Sequence, residues 1–202
     1  MDYNPTTKLE AVNQLLSMIQ ERQVNSLTNP PADVALAISI LDEIAVNVQS
    51  GNWYFNTDPC VKYSPDTDGD IKVATNVIRV NPDKGRNYPH LPVLRTGRRQ
   101  LYDKYDQTYT FTKDMYLDVT YLLDWEDLPQ PVRAYIVARA GRVYNDRALN
   151  DPDLKQSLLI SEQLARQELG QWDSDEADDN IFDDPQVARM LYRHNSLDRL
   201  AW

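Results

Sequence analysis

Apolar residues recur at three- and four-residue steps in two well-separated segments, Val34 to Gln49 and Val132 to Arg147. This spacing places the apolar side chains on one face of an α-helix. The long interval between the two segments has no helical period and is rich in tyrosine and proline. The pattern therefore predicts a helical body that is interrupted by a module of strands and loops.

Start and stop signals predict where the helices begin and end. Thr7 and Glu10 have the spacing of a capping box, which satisfies free N–H groups at a helix start. An Asp-Pro pair before an apolar repeat is typical of an N-cap followed by the first helical position, and a glycine after such a repeat is a common stop. The predicted starts are Thr7, Asp33 and Asp151, and the predicted stops are Gly51 and Gly170.

The second helix is apolar around much of its circumference, because Leu36, Ile40 and Val46 lie off its main stripe. Such a helix lies centrally in its subunit or at a contact between subunits. The aromatic residues at positions 53–55 follow it directly. We expect these three rings to hold the end of the helix on the core, since each has a large area to bury.

The interval 56–125 predicts a small β module. Apolar and polar residues alternate over residues 71–77 and 115–121, which is the pattern of a half-buried strand. Residues 101–111 predict a more polar strand or hairpin. Residues 81–92 contain several prolines and a glycine and predict a long exposed loop.

The last predicted helix leads into an acidic linker and an amphipathic tail. Its apolar lining consists of Leu154, Leu158, Leu164 and Leu169. Residues 173–184 are dense in aspartate and glutamate, and such a run is usually an exposed linker. Apolar residues return beyond it at Val187, Met190, Leu191, Leu197, Leu200 and Trp202. This tail suits the capture of another chain, or it folds back on the helices of its own chain.

These patterns together predict an α+β fold. It consists of an antiparallel helical bundle, an inserted, small and mostly antiparallel β module, and an extended C-terminal tail. The helical body comprises residues 1–55 and 126–170, and the module comprises residues 56–125. Residues 171–202 form the linker and the tail.

Composition limits the classes of function. The formal net charge of −10 argues against a surface that neutralises nucleic-acid phosphates, although DNA can still pass nearby. A single cysteine, Cys60, fits a reducing cytosol and leaves no cysteine-based zinc site. No stretch predicts a membrane span. We therefore expect a protein that is made in the cytoplasm and used there or in a particle assembled there.

No catalytic, metal or cofactor site emerges from the motifs. The run Asp66 to Asp70 resembles the start of a calcium loop, but its glycine comes one place early and Val77 stands where the closing glutamate belongs. A simple turn is the expected structure there. His90 and His194 have no nearby serine or cysteine motif that predicts an activated nucleophile.

Two clusters leave alternatives open. The arginines among residues 95–99 either touch a phosphate backbone or form a solvated hairpin. Asp124, Glu126 and Asp127 surround Trp125, and two carboxyl groups beside an aromatic platform are what sugar hydrolysis requires. A virion-associated, glycan-degrading hydrolase with paired carboxylates is therefore the alternative to a purely structural protein.

Several stretches resemble tail tubular protein A, the head-to-tail adaptor of short-tailed, T7-like bacteriophages. They are Ala11–Leu16, Val48–Asn56, Asp124–Pro129, Ala134–Val137 and Tyr144–Arg147. With the helix between Asp33 and Gln49, the similarity covers most of residues 9–170. It rests on the pattern and order of the stretches and not on one short signature.

The resemblance implies a structural virion protein without enzymatic activity, metal or cofactor. Its expected form is a ring of twelve identical subunits beneath the portal protein, with a tail nozzle protein of the tail tubular protein B type below. Double-stranded DNA would pass through the central channel without sequence-specific binding. The resemblance places the protein in the virion tail, assembled in the host cytoplasm, with no membrane insertion.

We assign expected contacts within that arrangement. The helical body forms the ring wall, the acidic linker and the tail grip the portal, and the tyrosine-rich module meets the nozzle. The predicted subunit or partner interface consists of Leu36, Ile40, Tyr88, Leu91, Arg95, Arg98, Arg99, Val187, Met190, Leu191, Leu197, Leu200 and Trp202.

Overall fold

The computed structural model describes residues 5–82 and 92–177. Within these ranges the chain forms four α-helices and five strands. One hydrophobic core lies among the helices and a second lies among the strands. The predicted α+β fold is therefore confirmed.

The helical core is built around the third helix. The helices are α1 (Lys8–Met18), α2 (Ala32–Gln49), α3 (Gln130–Tyr144) and α4 (Pro152–Glu176). A π-helical turn, Asn145–Leu149, extends α3. Helix α3 packs against the other three helices, and its apolar residues Val132, Ile136 and Ala140 are fully buried. The two segments with the clearest helical period are thus the ones that contact each other at the centre.

Two of the three predicted helix starts are confirmed. Thr7 and Glu10 form the complete capping box, and the Asp151 side chain accepts hydrogen bonds from two N–H groups of the first turn of α4. The prediction that Asp33 is the N-cap was wrong, because α2 begins at Ala32 and Pro31 is its N-cap, two residues before Asp33. Proline presets the backbone angle φ there, while Asp33 lies in the first turn, where its charge favours the helix dipole.

The predicted stop at Gly170 was wrong, because α4 continues through Glu176. The tertiary contacts of the following turn explain the difference. Trp172 packs against the helical core, and the Asp173 carboxylate accepts hydrogen bonds from the backbone N–H groups of Tyr54 and Phe55. These contacts outweigh the cost of about 1 kcal/mol for a glycine inside a helix. The predicted acidic linker therefore begins as ordered helix.

The β core contains two small antiparallel sheets. The strands are β1 (Thr57–Tyr63), β2 (Val77–Pro82), β3 (Pro92–Arg95), β4 (Gln100–Asp103) and β5 (Met115–Tyr121). Strand β5 lies between β1 and β2, so Val119 pairs with Asp58 on one side and with Val80 on the other. Strands β3 and β4 form a separate hairpin. The predicted strand at residues 115–121 is confirmed.

The predicted strand at residues 71–77 was largely wrong. Only isolated bridges occur at Asp70 and Lys72, and Val77 instead begins β2. The alternation still has a physical meaning, since Ile71 and Val73 point into the β core. The segment thus packs like a strand but pairs only at single positions.

Replacing Gly51 with alanine is expected to destabilise the chain by about 1–3 kcal/mol, because small-to-large changes in tight packing have costs of this size. A Cβ at Gly51 would lie 2.5 Å from Nε1 of Trp53. That nitrogen donates a hydrogen bond of 2.7 Å to the carbonyl of Val48 and so caps α2. Denaturant unfolding measures the loss. Gly97→Ala is the control, since a Cβ there meets no atom within 4 Å, and an equal effect of both substitutions would contradict this account.

Candidate functional site

The outer helices α2 and α4 expose apolar side chains that lack a partner among the described residues. Both helices pack against α3, which lies between them. On α2 the exposed residues are Leu36 and Val46, and on α4 they are Leu159, Ile160 and Leu164. The helical body thus presents two different apolar surfaces, which we call the α2 face and the α4 face.

The α4 face is the more exposed of the two. Leu158 and Leu169 are the only buried residues of α4. The exposed fractions of Ile160 and Leu164 are 51% and 57%. Ile160 and Leu164 are four residues apart and therefore neighbours on one side of the helix. The prediction that Leu164 lines the interior was wrong. The run of apolar residues at 158–160 was the available signal, because three consecutive residues cannot share one face of a helix.

Leu36 and Ile40 were both predicted to lie at an interface, and the structure separates them. Leu36 is exposed on the α2 face. Ile40 has an exposed fraction of 1% and lies in the helical core, since it is turned toward the centre of the bundle. Its side chain is fully packed within the subunit, so only Leu36 of this pair can meet another chain.

Ion pairs link each of the two helices that carry these faces to α3 and its π-helical extension. Arg147, in the π-helical turn, binds the Glu43 carboxylate of α2 with two hydrogen bonds, of 2.6 and 2.8 Å. This interaction lowers the pKa of Glu43 below its ordinary value. On the opposite side, Arg142 of α3 forms an ion pair with Glu162 of α4. Both faces are therefore attached to the same central element.

The β3–β4 hairpin carries an array of arginines and tyrosines. The Cζ atom of Arg95 lies 4.6 Å from the ring centre of Tyr102, and that of Arg98 lies 4.9 Å from the ring centre of Tyr109. The two rings are 4.9 Å apart. Both arginines are exposed, while both tyrosines are half-buried. We call these four residues the Arg–Tyr ladder.

Arg99 has a different role from the other two arginines. Its Nη2 atom donates a hydrogen bond of 2.9 Å to the carbonyl of Val77, which ties the hairpin turn to β2. Its backbone adopts the left-handed conformation, with φ of 53°. Of the three arginines that were grouped in the sequence, one is therefore structural and two are presented outward.

The junction between the two cores is aromatic. Trp53 stacks on Phe55 with ring centres 6.5 Å apart, and Phe55 contacts Trp172 of α4 at 6.4 Å. The prediction that the aromatic run holds the end of α2 is confirmed for Trp53 and Phe55, which pack against the helical core. It was wrong for Tyr54, whose exposed fraction is 55%, because its ring points away from that core.

The acidic triplet around Trp125 does not form a sugar-binding platform. The Trp125 ring is 8% exposed, and its Nε1 atom donates a hydrogen bond of 3.0 Å to the carbonyl of Thr6. Asp124, Glu126 and Asp127 are exposed around it. Because the ring belongs to the helical core, no flat face of Trp125 remains on which a sugar could stack. The triplet therefore lacks the aromatic platform, which is one of the two features that sugar hydrolysis requires.

The Asp66 region forms the expected turn. The Asp66 carboxylate accepts hydrogen bonds from the backbone N–H groups of Asp68 and Asp70 and from Nζ of Lys72. Gly69 adopts a positive φ of 86° within this turn. In the described part of the chain, no group of three or more histidine, cysteine or acidic residues could hold a metal ion. No helix there is long and apolar enough to cross a bilayer.

The remaining predicted contact and histidine positions lie outside the described residues. They are Tyr88, His90, Leu91, Val187, Met190, Leu191, His194, Leu197, Leu200 and Trp202.

Comparison with known proteins identifies one family. A family model described as Tail tubular protein matches residues 9–179. The match begins in α1, ends just after α4, and so includes both cores, both apolar faces and the Arg–Tyr ladder. No curated protein matches the chain.

Proposed function

The chain belongs to the tail tubular protein family, and we propose that within the phage tail it is the ring-forming adaptor between the portal and the tail nozzle. Membership in this family supports a structural role in the virion tail. Our more specific proposal is a twelve-fold ring around the channel through which the genome is retained and then ejected.

The observation that carries the proposal is the pair of apolar faces on α2 and α4. A closed ring of identical subunits requires a heterologous interface, in which one surface of a subunit meets a different surface of the next. The two faces lie on different helices, with α3 between them. We propose that the α4 face of one subunit packs on the α2 face of its neighbour, with Leu164 and Leu36 near the centre.

The other parts of the chain have proposed partners outside the ring wall. We assign the β module to the nozzle protein and the segment 185–202 to the portal. The charge of the chain, −10 at pH 7, suits a channel wall. Acidic groups repel DNA phosphates over about 8 Å at physiological salt, which prevents the duplex from adhering as it passes.

Deleting residues 185–202 is expected to abolish portal binding, because this segment contains the apolar residues that we assign to the portal, Val187, Met190, Leu191, Leu197, Leu200 and Trp202. The described helices and both described cores come before residue 185 in the sequence, and we expect the truncated chain to remain folded and soluble. Co-sedimentation with purified portal rings measures binding.

The control is a full-length chain in which Arg189, Arg193 and Arg199 are replaced by lysine. It keeps the length and charge of the segment and should still sediment with the portal. Undiminished portal binding by the truncated chain would refute the assignment of the tail.

A further inference from the structure

The Arg–Tyr ladder is a cationic surface on an acidic protein, and its side chains are held in place by stacking. Each of its guanidinium groups lies over a tyrosine ring, and the two rings contact each other. An arginine stacked in this way loses little additional side-chain freedom on binding, and the N–H groups at its edge still point outward. Those N–H groups suit a carboxylate or a phosphate.

The two outward arginines have no acidic partner in the described ranges. Among residues 5–82 and 92–177, neither Arg95 nor Arg98 forms an ion pair. Lys62 and Lys72, by contrast, are paired with Asp114 and Asp66. Some other exposed cations, such as Arg22 and Lys113, also form no ion pair among the described residues, so what distinguishes the ladder is that two unpaired guanidinium groups are held side by side over two rings that contact each other.

The sequence just beyond α4 has the complementary charge. Asp178, Asp179, Asp183 and Asp184 follow within a few residues of the end of the helix at Glu176. Within α4, the Asp173 carboxylate already accepts hydrogen bonds from the backbone N–H groups of Tyr54 and Phe55. Asp175 and Glu176 belong to the last turn of α4, so the aspartates at 178–184 are the first carboxylates of the sequence beyond that helix.

We propose that the Arg–Tyr ladder binds the acidic segment 178–184 of a second copy of this chain. The inference rests on the proposed ring, because in a ring the same two elements of neighbouring subunits are presented to each other at high effective concentration. An acidic peptide fits better than duplex DNA, since the ladder offers only two cations and the net charge of −10 repels a duplex at longer range. The contact would order neighbouring subunits in one direction around the ring.

A peptide experiment tests the contact without requiring a ring. A fluorescent peptide of residues 176–186 is titrated with the full-length chain and followed by anisotropy. We expect binding that weakens with salt and falls by about tenfold or more with R95E/R98E or with a peptide in which the four aspartates are asparagine. The control R22E/K113E changes the net charge equally at exposed positions outside the ladder and should bind the peptide like the unchanged chain.

Charge exchange in the full-length chain tests whether the contact joins two copies. R95E/R98E is expected to weaken self-association by about tenfold, and adding D178R/D179R/D183R/D184R to it should restore association. Absent peptide binding, or unchanged self-association in R95E/R98E, would overturn the inference even if rings form. Tighter binding of a DNA duplex than of the peptide at the ladder would also overturn it. Peptide binding by a chain that never forms rings would instead refute the proposed function alone.

Discussion

The double variant I160E/L164E is expected to remain folded but to lose the ability to form rings. The two side chains are exposed in the subunit, so glutamate there should change the free energy of unfolding by less than about 0.5 kcal/mol. In the proposed interface, however, the same glutamates would be buried against the α2 face around Leu36 without a partner, at a cost of several kcal/mol for each charge. Sedimentation velocity should then show only monomer at concentrations at which the unchanged chain forms rings.

The matched control is Q14E/Q20E. It changes the net charge equally, but at exposed polar positions in and just after α1, outside the α4 face. We expect this variant to form rings, with at most a small, salt-dependent weakening. Rings formed by I160E/L164E would show that the α4 face is not the subunit contact.

Replacing Arg133 with methionine is expected to lower the free energy of unfolding by about 3–5 kcal/mol. The Arg133 guanidinium is buried at the start of α3 and donates hydrogen bonds of 2.7 Å to the carbonyls of Leu128, Thr6 and Glu126. Methionine fills much of the volume but leaves three carbonyls without their donor. The N-terminal segment before α1 should also loosen, because Arg133 is one of its few attachments to α3.

Denaturant unfolding of Arg133→Met and Arg139→Met compares two arginines of the same helix. Arg139 is partly exposed, and its Nε atom lies 3.8 Å from the Glu162 carboxylate. Its replacement should cost less than about 1 kcal/mol, as for other surface ion pairs. Equal losses for the two variants would contradict a structural role for the buried guanidinium.

Most of the helical body could be predicted from the sequence because its signals are local. The apolar repeats of α2 and α3, the Thr7 capping box and the Asp151 cap each depend on residues within one or two turns. The end of α4 could not be predicted in this way. It depends on Trp172 and Asp173 meeting residues that are more than a hundred positions away in the chain.

The β module was harder to predict because its strands are defined by their partners. Strand β1 contains Pro59 and a residue with positive φ, Cys60, so it has no clean alternation, and it exists because β5 pairs with it around an irregularity in the register. Residues 71–77 show the reverse case. They alternate well, yet few of their backbone groups have a strand beside them.

The candidate surfaces were only partly visible in the sequence. Leu36, Arg95 and Arg98 were predicted to lie at a contact surface and are exposed, but the α4 face was not predicted, because Leu164 fits the spacing of the helical repeat. The contact of Arg95 with Tyr102 follows from the β3–β4 register, which pairs Arg95 with Gln100 and Val93 with Tyr102 and so makes Arg95 and Tyr102 diagonal neighbours on one face. A contact of this kind can be predicted only when the residues of the hairpin turn, and with them the strand register, are known.

Electron microscopy of the purified chain, alone and mixed with portal rings, tests the proposed adaptor role most directly. We predict closed rings with a central channel wide enough for a DNA duplex, and the same rings docked at one end of the portal. Monomers that neither assemble nor bind the portal at any concentration examined would contradict the proposed function.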